Sequence, residues 1–113
     1  MRLRYVRVNV AFIVLDRHSM PAELILIIDS DPLDHSNLSE QLSGEPYQLM
    51  SAYSAEEGID AAIENTPDLI LLNALLPESN GFEVCRVLRH TSETSEIPII
   101  MLAKVHDLSL IHI

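Results

Sequence analysis

From Glu23 onward the chain alternates between short apolar runs and stretches of mixed character. Leu24–Ile28 (L-I-L-I-I) is continuously apolar, as expected of a parallel strand buried on both faces. It ends at D-S-D-P, where Asp31 can cap a helix that has Pro32 at its first position. Leu33, Leu38 and Leu42 fit one face of that helix loosely, and Gly44, Glu45 and Pro46 break it. Tyr47–Tyr53 predicts a second strand. Ser54 to Glu57 (S-A-E-E) is a capping box, opening a helix in which Ile59, Ala62 and Ile63 share a face. Thr66-Pro67-Asp68 stops it. Leu69–Leu72 predicts a third buried strand, ending at Asn73. Phe82, Cys85 and Leu88, with Val84 and Val87 beside them, predict a third helix. Pro98 precedes a fourth strand, Ile99–Leu102.

Strands alternating with helices on short connections predict an α/β fold, a parallel sheet with helices on both faces. Function in such sheets gathers in the crevice at the carboxyl ends of the strands. Asp29, Ser30 and Asp31 fall there, as do Asn73 with its loop, and Ala103 with Lys104. A run of apolar residues ending on an uncharged amide is the unusual feature. A carboxylate at that place could bind a metal or attack an electrophile; an amide does neither well.

At 113 residues the chain holds at most one domain. The net charge of −10 disfavours nucleic acid as a direct partner. The single Cys85 rules out an internal disulfide and fits a reducing, cytoplasmic setting. Charge is unevenly divided: residues 1–19 carry four arginines against Asp16, and residues 20–113 carry Arg86, Arg89 and Lys104 against sixteen acids. The first segment is too short and too charged to span a membrane, and D-R-H-S makes a poor leader cleavage site. Val6, Val8, Val10, Phe12 and Val14 alternate, consistent with an extra strand. The favoured reading is that residues 1–19 are an N-terminal extension upstream of a start at Met20.

The residues I-L-I-I-D-S-D-P, P-D-L-I-L-L-N-A-L-L-P-E-S-N-G-F-E-V-C-R-V-L-R and I-P-I-I-M-L-A-K, in that order and spacing, resemble the receiver domains of two-component response regulators. The resemblance runs from about Glu23 to Asp107. It implies a flavodoxin-like, doubly wound sheet with strand order 2-1-3-4-(5), here without the last helix-strand-helix. It implies an acidic pair after the first strand, at Asp29 and Ser30 with Asp31 beside them, and a phosphoacceptor position at Asn73. The backbone carbonyl of Leu75 would complete a Mg²⁺ site, Pro77 and Gly81 belong to the turn that follows, and the switch hydroxyl position is Ala103. The family's Lys has no counterpart.

Three of these positions lack the chemistry. An amide oxygen at Asn73 is a poor nucleophile. Ser30 and Asn73 together remove two of the three carboxylates that would hold Mg²⁺, leaving Asp29 to bind it weakly or not at all. Ala103 has no hydroxyl. The resemblance therefore implies a degenerate receiver that is not an enzyme and uses no cofactor. It would act through protein partners, a sensor kinase or an output domain, with no direct nucleic acid or membrane contact. The alternatives are a working phosphoacceptor, if residue 73 is truly or becomes Asp, and, more distantly, a flavodoxin-like cofactor binder. D-S-D-P argues against the last, because a phosphate-bearing cofactor wants Gly, Ser or Thr and free N–H groups there.

His35, His90 and His106 read as solvated surface residues, as do Glu93 and Glu96, and Cys85 as core. Lys104 reads as facing water, with anion binding as its functional reading. Leu108–Ile113 can be encoded by the transposon end sequence used in preparing DNA sequencing libraries. They read as an adapter-derived tail on a receiver unit of residues 20–107.

Overall fold

The computed structural model describes residues 3–8, 11–16 and 24–102. Ala103, Lys104, His106 and the 108–113 tail lie outside the described residues. Strands β1 (Leu3–Val8) and β2 (Ala11–Asp16) form an antiparallel hairpin, with Leu3 opposite Asp16 and Val8 opposite Ala11. The alternation that allowed one extra strand there falls on two. A period-two alternation looks the same on both arms of a tight hairpin, so it cannot mark where the chain reverses.

The main sheet contains β3 (Leu24–Ile28), β4 (Gln48–Ala52), β5 (Leu69–Asn73) and β6 (Ile99–Leu102), all parallel, in the order β4-β3-β5-β6. Counted within this sheet, the order is the anticipated 2-1-3-4. Helices α1 (Pro32–Gln41), α2 (Ala55–Asn65) and α3 (Gly81–Arg89) connect the strands. Residues 25–28 of β3 and 69–72 of β5 are essentially inaccessible, which explains their unbroken apolar runs. Ile25, Ile27, Leu69 and Leu71 pack with Leu38 and Leu42 of the α1 region on one face. Leu26, Ile28, Ile70 and Leu72 pack with Ala62 of α2 and with Val84 and Leu88 of α3 on the other.

Side chains set the helix starts. Asp31 Oδ1 accepts from the Leu33 N–H at 2.9 Å, and Asn80 Oδ1 from the Glu83 N–H at 2.9 Å. Ser54 Oγ accepts from the Glu57 N–H at 3.1 Å, while Glu57 reaches back to the Tyr53 N–H, one residue beyond the expected box. Thr66, with φ of 40°, closes α2 in the left-handed region. Arg89 donates to the carbonyls of Thr94, Ser95 and Ile97 and so ties down the segment entering β6.

Two helix faces differ from expectation. Leu33 is 63% exposed, and Asp34 and His35 are buried in the first turns of α1 with Leu38. Leu33 and Leu38 are five positions apart, about 140° around a helix, so they cannot share a narrow face. On α3 the buried residues are Gly81, Val84 and Leu88, Cys85 packs partly buried against them, and Phe82 is 72% exposed. Among the described residues no helix is long and apolar enough to cross a membrane.

Candidate functional site

The crevice forms where β3 and β5 end side by side. Ile28 lies in register with both Ala52 and Leu72, so Asp29 follows β3 at the level of Asn73, the last residue of β5. Asp29 and Asn73 are both buried, at 6% and 9% exposure. The floor is fixed from below. A Cβ at Gly58 would lie 2.6 Å from the Ile28 side chain, and one at Gly81 would lie 2.8 Å from the Asn73 carbonyl oxygen. Only glycine lets α2 and α3 come this close.

Asp29 sits at the centre of the polar contacts. Its Oδ1 accepts from the Asp31 N–H at 3.0 Å, and its side chain also bonds Asp34 and Asn73. Its pKa is raised from 3.8 to about 6. Burial is the main cause, and the carboxyl of Asp34 adds to it by sharing a hydrogen bond and by charge; the N–H of Asp31 and the amide of Asn73 pull the other way. Asn73 Oδ1 accepts from the Leu75 N–H at 2.8 Å, which shapes the turn leaving β5. Beyond it Leu75 bridges to Asn80, and the Gly81 N–H donates to the Ala74 carbonyl at 2.8 Å.

Of the sequence-predicted residues, the fold brings Asp29, Ser30, Asp31 and Asn73 to one end of the sheet, with Leu75 and Gly81 beside them. Pro77 lies in the loop between β5 and α3. Asp31 faces two tasks: its side chain caps α1 while its N–H binds Asp29.

His35 corrects the sequence reading. It is 5% exposed, not solvated. Its Nε2 donates to the Asp29 carbonyl at 2.6 Å, its Nδ1 lies 2.9 Å from Ser51 Oγ on β4, and its ring packs at 4.3 Å on Tyr53. His90 is exposed, as expected, and so are Glu93 and Glu96. Asp34, 4% exposed, was also missed. Both residues follow Asp31 by one helical turn, a spacing that turns them toward the strand it leaves.

Mg²⁺ relies on ionised carboxylates and on oxygens free to coordinate. Here Asp29 is already engaged by Asp31, Asp34 and Asn73, and the Asp31 carboxylate is occupied in capping α1. The amide oxygen of Asn73 is held by Leu75. With Ser30 and Asn73 uncharged, the strand ends present fewer charged oxygens than Mg²⁺ sites use. Among the described residues no group of three or more His, Cys, Asp or Glu is arranged to hold a metal ion.

Fold and crevice define a flavodoxin-like α/β module with its polar groups gathered at the carboxyl ends of neighbouring parallel strands. The chain belongs to the response regulator receiver domain family, whose sequence profile matches residues 25–112. It is 40% identical over 78 residues to the DNA-binding dual master transcriptional regulator RpaA of Synechocystis sp., covering 69% of this chain and 32% of that protein. It is 34% identical over 77 residues to protein PilH of Pseudomonas aeruginosa, covering 68% and 64%. The chain thus spans about a third of the length of the transcriptional regulator and just under two thirds of PilH. The N-terminal domain of a response regulator receiver protein from Methanoculleus marisnigri superposes with a TM-score of 0.66 at 28% identity, covering 69% of this chain and 63% of that one. A sensor kinase receiver domain from Pseudomonas aeruginosa, solved with magnesium in its active site cleft, shares the fold with a TM-score of 0.65 at 22% identity, covering 70% and 65%.

Proposed function

We propose that this chain is a receiver module that signals by protein contact without accepting a phosphoryl group. Receiver domains exchange signals with histidine kinases and output domains, and the partner here would be one of these. The observation that carries the reading is Asn73. It ends the strand where phosphotransfer needs a carboxylate, and its amide is used at both ends, on Asp29 and on Leu75. An amide in that role neither attacks phosphorus nor carries charge for Mg²⁺. Ser30 in place of the second acid supports the same reading.

The receiver unit would occupy residues 20–107. Matched relatives include a DNA-binding regulator, of which this chain covers 32%. Any nucleic-acid contact would belong to an output region, since the receiver portion is acidic. The setting would be the cytoplasm.

The test is incubation with a small phosphodonor and Mg²⁺, read as intact mass. No added phosphoryl group is expected. A phosphorylated protein would overturn the proposal, and peptide mapping to residue 73 would show whether it carries Asp. An Asn73→Asp, Ser30→Asp double variant serves as the positive arm.

A further inference from the structure

The His35–Ser51 pair lies outside the phosphoacceptor chemistry and has the geometry of a general base on a nucleophile. The Asp29 carbonyl can only accept, so Nε2 of His35, 2.6 Å away, carries a proton. In the neutral ring Nδ1 is then the lone-pair nitrogen, and it points at Ser51 Oγ, 2.9 Å away. The imidazole is 5% exposed and packed against Tyr53, so it cannot swing away. Ser51 itself is exposed on β4, an outer strand of the main sheet among the described residues. A nucleophile within hydrogen-bond reach of a base, with the base oriented by a third group, is the arrangement that activates serine. An open cleft lined by Pro32, His35, Ser39, Glu40 and Tyr53 shares His35 with this pair.

We propose that Ser51 is an acyl-acceptor site, activated by His35 and served by uncharged, activated carboxylic esters entering this cleft. In the step, Ser51 Oγ bonds the ester carbonyl carbon, its proton passes to His35 Nδ1, and the ester C–O bond breaks to release the alcohol or phenolate. Charge selects the acyl class. Glu40 in the cleft wall and a net charge of −10 repel dianionic phosphoryl donors, whereas a neutral ester meets no such barrier.

p-Nitrophenyl acetate, followed by peptide mapping of the whole chain, tests this. Ser36, Ser39 and Ser43 are exposed serines in the same molecule and act as internal references. General-base assistance is worth at least about 100-fold, so Ser51 should acetylate about 100-fold faster than they do. His35→Gln keeps an N–H for the Asp29 carbonyl and removes the base, and should bring Ser51 down to the reference rate. Equal acetylation of all four serines in the unmodified protein overturns the proposal without any variant. So does a fast Ser51 that is unaffected in a folded His35→Gln protein.

Discussion

Helices α1 and α3 begin on either side of the same crevice, and they hold it by different means. They are 10 and 9 residues long, and each is capped by one polar side chain, Asp31 or Asn80. There the likeness stops. α3 buries Gly81, Val84 and Leu88, and fixes the end of β5 by contact, with Gly81 against the Asn73 carbonyl. α1 buries Asp34 and His35 ahead of Leu38, and fixes the end of β3 by hydrogen bonds to Asp29. Apolar packing is indifferent to pH and to bound ions; a buried polar cluster is not. The α1 side is therefore where this site can respond to its surroundings, and the α3 side is where it is held still.

Substitutions can break that contrast. The largest effect should come from Leu88→Ala on the packing side, with a loss of about 2–5 kcal/mol in denaturant unfolding that is the same at pH 5 and pH 8. Next comes Asp29→Asn on the polar side. The folded chain holds the Asp29 proton more tightly than the unfolded chain does, because the pKa is raised to about 6. The stability linked to that proton is complete below about pH 3.8 and lost as pH rises through about 6. Asn cannot ionise, so the variant should exceed the parent by about 2–3 kcal/mol at pH 8, with the gap closing toward pH 4. A constant gap would show that Asp29 does not titrate in this range.

Asn73→Asp should follow, at about 1–2 kcal/mol. It removes the amide donor to Asp29 and sets a second carboxylate beside it. Equal melting temperatures in metal-free buffer would remove this account of the amide. Asp31→Ala and Asn80→Ala should each cost about 1 kcal/mol, and about equally, since the cap is the feature the two helices share. Arg86→Ala should be the smallest, below about 0.5 kcal/mol, because the Arg86–Glu83 pair is exposed on both sides.

What could be read from the sequence follows the same division. The strands with unbroken apolar runs and the Asp31 and Ser54 caps rest on local signals, and all are present; the meeting of Asp29 with Asn73 followed from the parallel-sheet topology that those strands implied. The buried polar side of α1 was not legible. Asp34 and His35 are residue types that ordinarily face water, and their partners are distant in sequence or on another element: Asp29 for Asp34, and for His35 also Ser51, sixteen residues away on β4. Phe82 misled in the opposite direction, since an apolar residue one position off a buried face can remain exposed. The hairpin was half legible: its alternation was visible, its reversal was not.

The two close approaches beneath the crevice have a consequence for how such a protein can change over generations. Gly58 bears on Ile28, the residue before Asp29, and Gly81 bears on Asn73 itself. The height of the platform is thus set by backbone against backbone and methyl groups, independently of which polar groups stand upon it. Side chains on that platform can be exchanged one at a time, acid for hydroxyl or carboxylate for amide, while the scaffold keeps its shape. Chemistry at the strand ends and shape of the surrounding surface are thereby free to vary separately.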